Sequence, residues 1–479
     1  MGWYIGYFLV YFGLLFAMGF WYFFKVKSSD DYLIAGWSMG FWPIVGTIIS
    51  TFCGAAVFIG WVGMGFTVGM SGFFKFALPA YLFTLLLIVL FAKPLRRQRL
   101  YTLADLFSER FGDKLGIFPS VLSAFIYSVP TLALQIVGMS TVFTLAFDMS
   151  FNTGVIFSFA LILGFTILGG LPATIITDAI QSIILVIGIV ALFIASIFYG
   201  GGVQEILQST PSDYLTPFGQ EGVSAVLIYA LSVGPFYLIW QSTWQRIFAS
   251  KSAEVAQKAG ITAVIIATLI SLLPYSIGVI ARQYVPADIN PDLVFSYVTV
   301  ELLPPALGGI ILVGLLSALM TGADSFILQG SSNLTQDLYA RLIKPDANEK
   351  QMMAVSRWSV VIISVLGLIV AYNITNIISM YQWALRLSAV TLVFPFLAVM
   401  FWRGVTAKGT FVSMILAATV TIVWPYLKSP IDVTLVGFSV SFITLVIVSL
   451  FTSHSRTERV KAVYYEDFER ARKNLHDSA

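Results

Sequence analysis

Three oxygen-bearing side chains, Thr321, Asp324 and Ser325, fall at positions i, i+3 and i+4 within the stretch SALMTGADS, residues 317–325. On a helix that spacing gathers them on one face, while Leu319, Met320 and Ile327 point elsewhere. Two hydroxyls and a carboxylate suit a small hard cation, because such ions take oxygen ligands and the carboxylate offsets their charge. The preceding run LGGIILVGLL, Leu307 to Leu316, is almost purely apolar, so Asp324 lies where a bilayer core is expected. Ionisable groups at that depth are costly unless they pair or face a wet cavity. Spacing alone leaves two readings open. Either this face holds a cation, or Thr321 and Ser325 bond back to their own helix and Asp324 pairs with Lys75 or Arg386, the two basic residues that fall inside predicted spans.

A second cluster lies in GGLPATIITDAIQSIILVIG. Gly169, Gly170 and Pro172 predict a tight turn at the inner surface, after which Thr177, Asp178 and Gln181 enter a membrane helix on one face. Asp178 falls within about three helical turns of that surface. It reads either as part of an inward ion path or as a helix-entry acid favoured by the N-terminal dipole. Two interruptions accompany these clusters. Ser50, Thr51 and Gly54 break the apolar run IISTFCGAAVFIGWVGMG, and Gly234-Pro235 breaks ALSVGPFYLIWQSTWQR. Broken helices in corresponding positions of two halves point to a mid-membrane binding site, because unwound backbone offers its carbonyls to an ion.

The elements that carry these groups follow from composition. With 58% hydrophobic and 11% charged residues and a mean hydropathy of +0.88, the 479-residue chain is a polytopic membrane protein and not a soluble globule. At about 20 apolar residues per crossing, roughly thirteen transmembrane helices are predicted, with no separate soluble domain. The first follows Met1 directly and lacks a basic leader region or small-residue cleavage site, which predicts a retained span. Positive charge collects in cytoplasmic loops. With the N-terminus outside, the inward loops hold Lys25 and Lys27, Lys93 to Lys114, Arg246 to Lys258, Arg341 to Arg357, Arg403 and Lys408, and the tail from Arg456. The outward loops hold only Arg282 and Lys428. The predicted orientation is N-terminus outside and C-terminus cytoplasmic in the plasma (inner) membrane. The net charge of +3 reflects this bias and implies no nucleic-acid partner.

Several chemistries are excluded. Both histidines, His454 and His476, lie in the C-terminal tail, and Cys53 is the sole cysteine. No His/Cys metal cluster, disulfide or histidine-based hydrolase can be built in the spans. No phosphate-cradling GxxxxGK[ST] stretch is present, which removes the usual signature of an ATP-driven pump. What remains is a polytopic protein with buried oxygens, expected to be no enzyme and to carry no organic cofactor.

The order and spacing of SDDYLIAGWSMGFWPIVGTIIS, FIGWVGMGF, YTLADLFSERFG, GGLPATIITDAIQSIILVIG, WQRIFASKSAEVAQKAG, LLPPALGGIILVGLLSALMTGADS and SSNLTQDLYAR resemble the sodium:solute symporter family over most of the chain. The resemblance implies an all-α, LeuT-like core of two inverted five-helix repeats, with one helix before and two after. On this sequence the extra helix and first loop take 1–38, the repeats 39–200 and 201–403, the last two helices 404–452, and a cytoplasmic tail 453–479. It implies a first sodium site from Ser50 and Cys53 with Ala318, Thr321 and Gly322. Some members carry a further site toward the cytoplasm, and the resemblance implies Thr321, Asp324, Ser325 and Asp178 for it here. Gly322 departs from the family pattern, which has a hydroxyl there. Asp324 places an acid where some relatives have a hydroxyl, so two carboxylates share one site. They bind one sodium strongly or hold a proton, since paired carboxylates resist double ionisation.

The resemblance places the substrate site at Ala56, Val57, Lys75, Phe76, Trp240, Gln241, Gln382 and Arg386. Ala56, Val57 and Trp240 do not suit a sugar, and Phe52 stands where a proline-type relative has an acid. Arg386 lies about nine residues into its span, roughly 13 Å at the helical rise, and a buried guanidinium suits a carboxylate. The expected solute is a small organic anion, a mono- or dicarboxylate, imported with sodium by alternating access. Two alternatives stand beside this: proton-coupled symport, and a transporter-like sensor without net flux, for which the short tail would require a separate partner. Oligomeric state is left open.

Overall fold

The computed structural model describes residues 2–53, 56–373 and 377–454. Gly54 and the tail beyond residue 454 lie outside the described residues. So do the side chains of Ala56 and Val57. The described chain is helical: α1 Gly2–Lys25, α2 Phe41–Phe52 and α3 Val62–Val68, then α4 Phe73–Arg97, α5 Lys114–Thr144 and α6 Phe151–Tyr199. Next come α7 Gly222–Val233, α8 Gln241–Ala249 and α9 Ala253–Ala281, α10 Pro305–Ile343, and α11 Glu349–Asn373, α12 Ile377–Phe401, α13 Ala407–Val423 and α14 Val433–Leu450.

Eleven helices among the described residues are long and apolar enough to cross a membrane. The expectation of thirteen crossings differs for two identifiable reasons. One is α6, a 49-residue run that length scores once, although Gly170 departs from helical geometry inside it at φ 57, ψ −160. The other is the pair α2 and α3, each too short to span alone and separated by a break after Phe52.

Both interruptions have a chemical cause. At Gly170 an added Cβ would lie 2.6 Å from Tyr32 Cδ2, and the positive φ is one that glycine adopts without steric cost. Tyr32 Oη then donates to the carbonyls of Thr166 (3.2 Å) and Ile167 (3.3 Å), satisfying backbone that the bend frees. Along the other half, α7 gives way to a 3₁₀ turn at Gly234–Leu238 before α8 resumes.

α10 sits at the centre, packed by α5, α6, α2 and α8, and 78% of its most apolar window is buried against 22% for α1. α1 lies outside α6 and α10, while α13 and α14 pair with each other and lean on α12. α2 meets α6 with almost no space between them: an added Cβ at Gly46 would fall 2.5 Å from Ala179 Cα. Since no flexible side chain can yield there, Gly46→Val should cost about 1–3 kcal/mol by overpacking and part α2 from α6, which a lower thermal midpoint would report. An unchanged midpoint would mean the contact is loose.

Candidate cation and solute site

The close α2–α6 contact places Thr47 and Ser50 beside Asp178, and α10 brings Thr321, Asp324 and Ser325 to the same place; all six are 0% exposed. Thr47 Oγ1 donates to Asp178 Oδ2 at 2.5 Å, and Ser50 Oγ donates to the Asp178 carbonyl at 2.8 Å. Thr321 Oγ1 donates to Gln181 Oε1 at 2.8 Å, and Ser325 Oγ donates to the Thr321 carbonyl at 2.6 Å. Cys53 and Ala318 are equally buried nearby in the chain.

A third charge enters this cluster that the loop assignment above misplaced. Arg246, counted with the inward loops, is 0% exposed. Its Nη2 pairs with Asp178 Oδ2 at 3.3 Å and donates to Ser325 Oγ. Nε donates to Thr47 Oγ1 at 3.0 Å, and Nη1 to the Ser242 carbonyl at 3.0 Å. The reason for the error is that the span is taken to end just before the basic run that starts at Arg246, whereas α8 continues as buried helix to Ala249.

Asp324 is the uncompensated member. Neither Lys75 nor Arg386 pairs with it: Lys75 Nζ binds Glu221 at 2.7 Å, and no ion pair to Asp324 or Arg386 exists among the described residues. Among the described residues the only hydrogen bond to the Asp324 carboxylate comes from Thr166 Oγ1, and its Oδ2, like Asp178 Oδ1, is buried without a partner there. Two carboxylates and one guanidinium leave the cluster a net single negative charge. A buried unpaired carboxylate is strongly unfavourable, and one monovalent cation or one proton would balance that charge. The hydroxyl-rich donor set, with no group of three His, Cys, Asp or Glu among the described residues, suits a hard cation and not a zinc-like metal.

Beside the cluster lies a cavity of about 40 Å³ lined by Thr51, Phe52, Trp61, Tyr81, Tyr237 and Tyr381 among others, including the expected Phe76 and Trp240. Its walls are aromatic and hydroxylated, and among the described residues no charged side chain lines it. At about 10–15 Å³ per water it has room for a few waters, so an organic solute requires it to widen. Gln241 instead lines a second cavity with Ser123 and Gln329, on the other side of Tyr127, which borders both. Lys75, Gln382 and Arg386 line neither.

Toward the end of the bundle that carries the basic loops, polar bridges close the interior. Gln241 Nε2 donates to Asn333 Oδ1 at 2.9 Å, Ser242 Oγ to Gln329 Oε1 at 2.6 Å, and Gln245 Nε2 to Ser332 Oγ at 2.7 Å. Further out, Thr102 Oγ1 donates to Asp337 Oδ1 at 2.9 Å, and Arg341 pairs with Asp105 at 2.7 Å. These bonds tie α8 and the segment after α4 to α10. In a Cys53→Ala background, Ser123→Cys should alkylate several-fold faster once Arg341→Gln is added; equal rates would show that the Asp105–Arg341 pair holds nothing shut.

The model for the sodium:solute symporter family matches residues 32–417. The chain belongs to the sodium:solute symporter family. Like other members it is a transporter, and it is a multi-pass membrane protein. The symporter is 26% identical to a sodium/glucose cotransporter of Vibrio parahaemolyticus over 81% of this chain and 78% of that one. It is 26% identical to a sodium/pantothenate symporter of Haemophilus influenzae, over 85% and 87%. With an osmoregulated proline transporter of Bacillus subtilis the identity is 27%, over 92% and 94%. The fold matches a sodium-coupled sialic acid symporter in its substrate-bound outward-open state, with a TM-score of 0.84 and 17% identity over 95% and 99% of the two chains. It also matches Mhp1, a nucleobase-cation-symport-1 family transporter, at 0.62 and 14% over 91% and 98%. The architecture is therefore LeuT-like.

Sequence reasoning missed Arg246, Thr47 and Thr166. Arg246 carried one usable signal, since it closes the polar stretch QSTWQR that begins shortly after the Gly234-Pro235 break. Thr47 and Thr166 carried none, because each is a lone hydroxyl in an apolar run.

Proposed function

We propose that the protein imports a small organic solute together with sodium, by alternating access in the plasma membrane. The observation that carries this reading is Asp324, a fully buried carboxylate with no cationic partner among the described residues, set beside the neutral Asp178–Arg246 pair and a candidate solute cavity. Sodium at Thr321, Asp324, Ser325 and Asp178 would balance the charge, and Ser50, Cys53, Ala318 and Thr321 offer a second group of oxygens near the α2 break. The loop charges support an N-terminus outside and a C-terminus inside. The two broken segments support repeats at 39–200 and 201–403. The bonded basic end then corresponds to a state shut toward the cytoplasm, and the sodium gradient and potential drive the cycle, about 2.3 kcal/mol per charge per 100 mV.

The solute best suited to the cavity is neutral or zwitterionic, with a planar or apolar body for Trp240, Phe76 and Tyr381 and polar groups for the surrounding hydroxyls. Relatives named for proline and glucose supply the first compounds to try. A carboxylate solute is the second reading, and a relative named for pantothenate, itself a carboxylate, supplies the first compound for it. Arg386 favours it, being half-buried and without an ion pair among the described residues.

Uptake into proteoliposomes under an imposed sodium gradient, with proline, pantothenate, glucose and small carboxylates, tests both readings. Concentrative uptake of a neutral or zwitterionic compound that Trp240→Ala abolishes and Arg386→Gln spares supports the first. Uptake of carboxylates alone, lost in Arg386→Gln, supports the second. Binding without flux for every compound would identify a sensor.

A further inference from the structure

Gly322 stands one residue from Thr321 on α10, and it faces the solute cavity, since Phe326 one turn later lines that cavity. The space beside it is filled by another residue. An added Cβ at Gly322 would lie 2.9 Å from Gln135 Cδ, 3.0 Å from Oε1 and 3.3 Å from Nε2. Gln135, on α5 and 4% exposed, thus lays its amide where a side chain at 322 would stand. The same amide lines the cavity together with Thr131 one turn before it.

We propose that Gln135 joins the cation site to the solute site: its carbonyl oxygen is a cation ligand beside Thr321, and its nitrogen faces the solute. An amide suits both tasks, having an acceptor oxygen with two lone pairs and two N–H donors. The absence of a side chain at 322 is what lets this oxygen approach α10. A ligand carried on the cavity wall makes the cation shell depend on the wall's conformation, so a solute that orders the amide tightens cation binding, and by linkage the cation tightens solute binding to the same degree. The proposal rests on the sodium reading of the Asp324 cluster.

The test is a sodium titration of the thermal midpoint in detergent, at constant ionic strength with potassium chloride. Gln135→Ala should raise the half-saturating sodium concentration about tenfold. Gly322→Ser alone should raise it as well, because its Cβ displaces the amide. The double variant Gln135→Ala/Gly322→Ser should return toward wild type, its hydroxyl entering the vacated volume. Midpoints in potassium alone identify a variant that is merely misfolded, and the rescue pair then decides. An unchanged half-saturation in Gln135→Ala, or a double variant no better than Gln135→Ala, overturns the proposal. A wild-type protein indifferent to sodium overturns the sodium reading and this proposal with it, an outcome distinct from the first two.

Discussion

Arg246→Gln should cost about 3–5 kcal/mol of stability in potassium chloride, the usual result of removing one partner from a buried ion pair. Asp178 and Arg246 are both 0% exposed, so water cannot replace the lost charge. The cluster would then hold two carboxylates and no guanidinium. Sodium should consequently stabilise the variant more steeply than wild type, because ligand binding to the folded state raises stability with the logarithm of concentration over Kd. Arg246→Lys should rescue only in part: one ammonium cannot reproduce the separate bonds that Nε, Nη1 and Nη2 make to Thr47, Ser242, Asp178 and Ser325. Thermal midpoints of the three proteins across a sodium series check this. A midpoint for Arg246→Gln within a degree of wild type, with the same sodium dependence, would mean that Arg246 does not set the charge of the site.

Asp324→Asn should act in the opposite sense on stability and more severely on transport. The substitution removes a buried charge whose Oδ2 has no partner among the described residues, so the protein in potassium should be as stable as wild type or more so. Sodium-driven uptake should fall by about 100-fold or more, on the scale of 2.7 kcal/mol for a charged group lost from a buried site. Counterflow exchange of solute at equal sodium on both sides separates loss of coupling from loss of folding. A variant that still concentrates solute on a sodium gradient would remove Asp324 from the coupling mechanism.

Periodicity explains which parts of the site were legible beforehand. Thr321, Asp324 and Ser325 fall on one face of any helix, and Asp178 stands out because a carboxylate is rare in an apolar run. The bend in α6 was legible from GGLP, since Gly170 and Pro172 act through local backbone geometry. Pairings across the fold were not. Glu221 meets Lys75 from 146 positions away and Arg246 meets Ser325 from 79 away, and nothing in the local pattern of either segment names its partner. Gln135 is a single amide in VPTLALQIVG that only the packing of α5 on α10 brings to Gly322. The substrate residues divided in the same way: Phe76 and Trp240 reach the cavity, whereas Lys75 is held by Glu221 and the cavity's own aromatic wall, with Tyr127, Tyr237 and Tyr381, is built from helices far apart in sequence.

The most direct measurement is the thermal midpoint of the purified wild-type protein in sodium chloride against potassium chloride at equal ionic strength, with Asp324→Asn beside it. A single uncompensated negative charge seated among hydroxyls predicts a sodium-specific rise, about 2.7 kcal/mol when sodium stands at 100 times its Kd, and no rise in the variant. A wild-type midpoint indifferent to sodium but climbing as pH falls would contradict sodium coupling and assign that charge to a proton.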